Sequence, residues 1–227
     1  MAPRSGPRIV VISPTTRVVP DVTDAFDALW PEAELGHIVD DTVYSDVLGK
    51  RMGFTPAVKS RVLNLLKQGE AAGAKAMMFT GSIFGALIEE LRVTVSVPVT
   101  TSSQGLIEEI FAAPAKGASR RIGVVSTVAQ SIADLERDMA RYAAPKALAY
   151  TVEKYVAADA RPLFETGQRP AHDEIVVAAT ERFRDLDILV LPQFSLTTAH
   201  AALPKAAGRT DLCASRSAIG LLRRLAG

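Results

Sequence analysis

The sequence predicts an α/β protein made of two doubly wound, parallel-sheet lobes. Three observations carry this. Short apolar runs alternate with amphipathic helical segments along the chain, the pattern of parallel strands flanked by helices. The pattern then restarts, because Arg121-Ile122-Gly123-Val124-Val125-Ser126-Thr127 echoes Arg8-Ile9-Val10-Val11-Ile12-Ser13-Pro14. Two apolar runs end in small polar turns: Met77-Met78-Phe79 in Thr80-Gly81-Ser82, and Ile188-Leu189-Val190-Leu191 in Pro192-Gln193-Phe194-Ser195. Ligands of doubly wound folds bind beyond the carboxyl ends of strands, so these turns are the expected halves of one site in a cleft between the lobes.

Each element follows from local chemistry. Arg8–Ile12 is a β-branched run closed by Ser13-Pro14-Thr15, a buried strand and its exit. A helix spans about Pro20–Leu29, with Asp21 and Asp24 near its positive end. Trp30-Pro31 closes it, because a residue before proline resists helical angles. Glu34–Val39 reads as the second strand, ending at Asp40-Asp41-Thr42. The 42–54 segment has little periodicity and is expected to be loop with a helical turn. Thr55-Pro56 pairs an N-cap with proline at the first helical position and opens a helix to about Gly73. Met77–Phe79 is the third strand, Ile83–Leu91 a helix and Val95–Val99 a fourth strand through Pro98. The second half gives helices at Gln104–Phe111, Gln130–Tyr142 and His172–Arg184. Its strands fall in the Arg121–Thr127 run, at Ala147–Val152 and at Ile188–Leu191, before a helical Thr197–Leu203 and a last helix at Ser215–Leu225. The expected domains are 1–100 plus 206–227, and 101–205.

Composition excludes several classes. A formal net charge of +1 on 227 residues gives no electrostatic case for nucleic acid or an anionic membrane. No apolar run approaches the roughly 20 residues of a membrane span. The first seven residues lack the apolar core of a signal peptide. One cysteine, Cys213, rules out an internal disulfide framework, and a cytoplasmic location is expected. Three scattered histidines show no ligand spacing for a metal, and no glycine-rich fingerprint for a dinucleotide is present. No cofactor is expected. A dimer is, through apolar positions on Ile83–Leu91 or Gln104–Phe111.

The ordered set of Ile-Ser-Pro-Thr after the first strand, Phe-Thr-Gly-Ser-Ile-Phe-Gly at mid-chain, Ser-Thr after the repeated strand and Leu-Pro-Gln-Phe-Ser late in the chain resembles the aspartate/glutamate/hydantoin racemase superfamily. That superfamily includes arylmalonate decarboxylase and maleate isomerase. The resemblance runs nearly end to end, through Trp30-Pro31-Glu32-Ala33-Glu34 and Asp40-Asp41. It implies two Rossmann-like lobes related by a pseudo-twofold, with the active site between them. In racemases of this kind each polar turn carries a cysteine on one face of the substrate's α-carbon. The corresponding positions are Gly81 and a position near Gln193, so neither turn holds a thiol. Arylmalonate decarboxylase resembles this chain in having glycine at the first position, but keeps the second cysteine.

Racemisation by two bases needs a titratable group on each face of the carbon, which neither glycine nor glutamine supplies. What remains is a carboxylate cradle of hydroxyls and N–H groups from Thr80, Gly81, Ser82, Ser126, Thr127, Gln193, Phe194 and Ser195, able to hold a carboxylate or an enediolate-like charge, with Ser13, Pro14 and Thr15 as a wall of the cleft or a simple turn. Helix capping is the alternative role for these hydroxyls. Candidate catalytic groups are His200, if helical packing brings it to the turn, and Asp41 and Tyr44 beyond the second strand. The alternatives are a helix-end histidine and a plain capped turn. Arg17 is a candidate cation or a surface arginine. Phe79, Phe84 and Phe194 would shape an apolar wall. Cys213 lies off the motif and reads as a structural thiol. Three functions fit: a racemase-like isomerase acting on a small carboxylate, a cofactor-free decarboxylase or lyase, and a non-catalytic carboxylate binder.

Overall fold

A computed structural model describes residues 5–49 and 53–227. The chain divides into two compact units, residues 1–102 with 218–227, and residues 103–217.

The first unit holds strands β1 (Arg8–Ser13), β2 (Glu34–Val39), β3 (Ala76–Phe79) and β4 (Val99–Thr101) in a parallel sheet of order β2-β1-β3-β4. β3 is buried along its whole length and β1 from Ile9 onward, as both faces of a helix-covered parallel sheet require. Helices α1 (Val19–Leu29), α2 (Asp41–Tyr44), α3 (Pro56–Ala71) and α4 (Gly85–Leu91) complete the unit. Val62 and Leu66 of α3 meet Val10, Ile12, Met77 and Phe79 in its core. Thr55 caps α3 by accepting the Val58 N–H at 3.3 Å, ahead of Pro56 at the first helical position. The fourth strand lies beyond the expected Val95–Val99. Proline has no N–H for a ladder, so Pro98 offers only its carbonyl, 2.8 Å from the Met77 N–H, and pairing begins at Val99. Of the segment expected to be loop with a helical turn, residues 42–49 lie in α2 and in a π-helical turn at Ser45–Gly49, and residues 50–52 lie outside the described residues.

The second unit repeats the plan. Helix α5 (Gln104–Ala112) leads to β5 (Arg120–Ser126), α6 (Ala129–Ala143), β6 (Tyr150–Val156), α7 (Ala160–Glu165), α8 (Arg169–Thr180), β7 (Ile188–Leu191), α9 (Thr197–Ala201) and β8 (Thr210–Cys213). The sheet order is β6-β5-β7-β8, again all parallel. Strand β6 begins at Tyr150, past the expected start at Ala147, because a 3₁₀ turn continues from α6 through Lys146 and Ala147 then takes a left-handed conformation. Gly123 in β5 leaves room for Phe183 and Leu186, which follow α8. A methyl there would stand 2.6 Å from Phe183 Cγ. Strand β8 and helix α7 are additions to the expected elements. Because β8 pairs with β7, residues 206–217 belong to the second unit, and the first unit regains the chain only at Ala218. Helix α10 (Ala214–Ala226) spans that change, and its Arg223 donates to the Leu29 carbonyl at 2.7 Å.

The apolar residues of α4 (Leu87, Ile88, Leu91) and α5 (Leu106, Ile107, Ile110, Phe111) are buried within the chain. Among the described residues no helix is long and apolar enough to cross a membrane, and no group of three or more His, Cys, Asp or Glu could hold a metal.

Candidate functional site

In both sheets the strand order reverses between the first and third strands of the unit. These are the β1/β3 and β5/β7 positions, where the exits of neighbouring strands part and leave a crevice for a ligand. The residues at these exits are the two polar turns singled out from the sequence.

In the first unit, Ser13 ends β1 and Thr80 follows β3, and both are buried. The Thr80 hydroxyl lies 3.1 Å from Ser13 Oγ, while the Thr80 N–H donates to the Ile12 carbonyl at 2.9 Å. Gly81 has φ +91, a conformation suited to glycine. It leads into a short 3₁₀ turn, Ser82–Phe84, through a Phe84 N–H to Gly81 carbonyl bond of 3.0 Å. Space there is also tight, since a Cβ on Gly81 would sit 3.0 Å from Pro14 Cγ and 3.3 Å from Phe84 Cδ2. The Phe84 ring packs against Phe79 and Phe54, with centroids 5.2 and 5.4 Å away. Thr15 accepts the Arg17 N–H at 3.3 Å and so caps a local turn, while the Arg17 side chain is exposed.

The second unit uses the same position differently. Gln193 precedes the 3₁₀ turn Phe194–Leu196 and receives the Leu196 N–H at 3.2 Å. It is therefore the topological counterpart of Gly81, a register that the sequence left open. Its backbone is extended, and its side chain turns back to the β5 exit. There Gln193 Oε1 faces Ser126 Oγ at 2.7 Å, Thr127 N at 2.8 Å and Thr127 Oγ1 at 3.1 Å. Phe194 is buried and Ser195 half-buried beside it.

The candidate bases are less central. His200 lies on α9, and its Nε2 is 3.2 Å from the Asp211 carbonyl oxygen. A carbonyl only accepts, so Nε2 carries the proton and Nδ1 the lone pair; Nδ1 is buried without a partner among the described residues. Burial holds the His200 pKa below its ordinary value, against the opposing bond to Asp211. Asp41 and Tyr44 are exposed on α2.

Next to them stands an ion-pair cluster that sequence reading missed. Arg61 of α3 donates to Asp40 at 2.7 Å and Asp46 at 2.7 Å, and also contacts Thr42. Burial raises the Asp40 carboxyl, but bonds from Thr42 and Arg61 outweigh it and hold the pKa below the usual carboxylate range. The separation of Arg61 from Asp40 along the chain gave no local signal.

Cys213 ends β8 beside Leu191, fully enclosed, with Sγ 3.3 Å from Ser215 Oγ. Burial raises its thiol pKa. The other histidines serve structure: His37 Nε2 lies 3.1 Å from Thr23 Oγ1, and His172 Nδ1 2.7 Å from Asp173.

A family model described as Asp/Glu/Hydantoin racemase matches residues 9–209. An aspartate racemase homologue from Pyrococcus horikoshii superposes with a TM-score of 0.69 at 18% identity, covering 97% of this chain and 99% of that one. Arylmalonate decarboxylase gives 0.64 at 18% identity, with 97% and 93% covered. Allantoin racemase from Klebsiella pneumoniae gives 0.66 at 14%, with 97% and 87% covered. Among curated protein sequences none matches. At these identities the structures speak to the fold.

Proposed function

Because the chain belongs to the Asp/Glu/hydantoin racemase family, we propose that it is a racemase-like isomerase acting on a small carboxylate without the usual cysteine pair. One observation carries the reading. The two strand-order reversals are occupied by equivalent turns, at Gly81 and Gln193, each set among hydroxyl and N–H donors. Such donors hold a carboxylate and stabilise the negative charge that develops on it when the α-proton leaves. Ser13, Thr80 and the Gly81 N–H would serve in the first unit, and Gln193, held by Ser126 and Thr127, in the second.

Proton transfer then falls to a group outside the two turns, with Asp41, Tyr44 and His200 as candidates. His200 would act through Nδ1, the nitrogen that holds the lone pair, and only after its cover opens. Asp40 is a poor base, being held as an ion by Arg61.

The backbone at Gly81 favours a second reading, a cofactor-free decarboxylase or lyase. A glycine at φ +91, tightly packed against Pro14 and Phe84, leaves that position without a proton-transferring side chain. One-sided chemistry needs a single donor to the carbanion.

Proton NMR in D2O with amino acids, 2-aryl malonates, hydroxy acids and hydantoins tests both. Deuterium entering a Cα position with retention of the carboxylate supports the isomerase. Loss of CO2 moves the chain to the lyase reading. Binding of these carboxylates with no turnover of any would overturn both and leave a binding protein.

A further inference from the structure

The orientation of the Gln193 carboxamide is fixed by chemistry as well as by position. A backbone N–H can only donate, so the side-chain atom 2.8 Å from Thr127 N is the oxygen. Ser126 Oγ and Thr127 Oγ1 lie at 2.7 and 3.1 Å from the same oxygen. The Ser126 hydroxyl also lies 2.9 Å from the Val128 carbonyl, and its one proton serves one acceptor at a time. With Oε1 turned inward, Nε2 faces the other way. It has no partner among the described residues and is not one of the buried orphaned polar atoms. Donors at Oε1 polarise the amide, which strengthens the N–H groups at its other end. The side chain is already ordered, so a ligand that uses it does not have to freeze a flexible glutamine.

The first unit offers no equivalent. Its β1 exit has Pro14 where β5 has Thr127, and so lacks that N–H; Gly81 has no side chain to anchor. The second turn alone therefore carries a locked, neutral, non-titrating donor where the family resemblance places a thiol.

We propose that Gln193 is a specificity-determining ligand-binding residue. Its carboxamide, locked oxygen-inward by Ser126 and Thr127, presents Nε2 to an acceptor oxygen of a small carboxylate. Ser126 and Thr127 are then positioning residues, acting on the ligand through the amide. The identity of the ligand class rests on the function proposed above.

Gln193→Glu is the discriminating variant. One carboxylate oxygen keeps the inner donors, while the outward NH2 becomes a negatively charged acceptor. Malonate serves as the probe, followed by 15N–1H NMR of the full chain, with the Gln193 side-chain NH2 signal assigned from its loss in Gln193→Glu. The expected result is a malonate-dependent shift of that signal in wild type. Gln193→Glu should weaken malonate binding at least about tenfold, through loss of a donor and like-charge repulsion, with an unchanged melting temperature. Ser126→Ala should weaken binding in wild type but not in the Gln193→Glu background, an effect a merely structural serine would not produce.

Wild-type binding that Gln193→Glu leaves unaltered would overturn the proposal while sparing the carboxylate reading. Tighter binding by Gln193→Ala would also overturn it, by making the amide oxygen an occupant of a site the ligand must empty. No wild-type binding of malonate or of the NMR panel would overturn both.

Discussion

The Thr80 hydroxyl lies 3.1 Å from Ser13 Oγ across the carboxyl ends of β3 and β1, and both residues are buried. Neither strand pairing requires this bond, since the Thr80 N–H already extends the ladder to Ile12. It does set the direction of two hydroxyls at the strand-order reversal. Thr80→Val keeps the shape and removes the bond, leaving the Ser13 hydroxyl without its partner. A loss of about 1 kcal/mol is expected, read as a melting temperature lower by roughly 2–4 °C. Carboxylate affinity should fall further than stability does. Unaltered binding by titration calorimetry would remove this pair from the site.

Gly81 is held by backbone as much as by space. Its φ of +91 suits no side chain, and a Cβ would meet Pro14 at 3.0 Å and Phe84 at 3.3 Å. Gly81→Cys should therefore be destabilised by roughly 1–3 kcal/mol, and Gly81→Ala by a similar amount, because the Cβ is common to both. Gly167→Ala separates the two causes, since Gly167 has φ +77 with nothing within 4 Å of a Cβ. A denaturation midpoint for Gly81→Ala equal to wild type would contradict the geometry.

The sequence makes the frame legible because parallel strands buried on both faces leave continuous apolar runs, as at Val10–Ile12 and Ile188–Leu191. Caps are legible for the same local reason, Thr55-Pro56 being the clearest. Edge elements are harder. Thr210-Asp211-Leu212-Cys213 is a strand by virtue of its pairing with β7, and its own pattern is too polar to announce it. Missing β8 moved the expected boundary of the second unit from Ser217 to about residue 205. At the site, the residue types at both turns could be read directly. The bond from Thr127 to Gln193 and the pairing of Asp40 with Arg61 join residues far apart in the chain, and no local window contains them.

The Asp40 cluster gives a pH dependence with a definite sign. Its folded pKa is lowered by Thr42 and Arg61 against the opposing effect of burial. The folded state thus favours the ionised carboxyl. The resulting stability is complete above the unfolded value of about 4 and is lost as pH falls through the lower folded value. Asp40→Asn removes this ionisation and leaves Arg61 with Asp46. Urea midpoints followed from pH 6 downward should fall less steeply for Asp40→Asn below about pH 4, the gap between the proteins closing at the acid end. Parallel curves through that range would contradict the pairing.

The one thiol of the chain is enclosed at the end of β8. Cys213 is 1% exposed, and its Sγ meets Ser215 Oγ at 3.3 Å, which in turn lies 2.7 Å from Thr197 Oγ1. Burial disfavours the thiolate and raises the pKa, although bonds from Ser215 oppose the shift. A thiol with little thiolate and no access is a poor nucleophile and a poor base. Native protein should therefore resist an aromatic disulfide reagent at pH 8 and release one equivalent of chromophore only in denaturant. Cys213→Ala should retain turnover of whatever carboxylate the NMR panel identifies, at a stability cost of about 1–2 kcal/mol for the lost packing. Rapid labelling of the folded chain, accompanied by loss of activity, would instead put this sulfur within reach of substrate and reverse its assignment as structural.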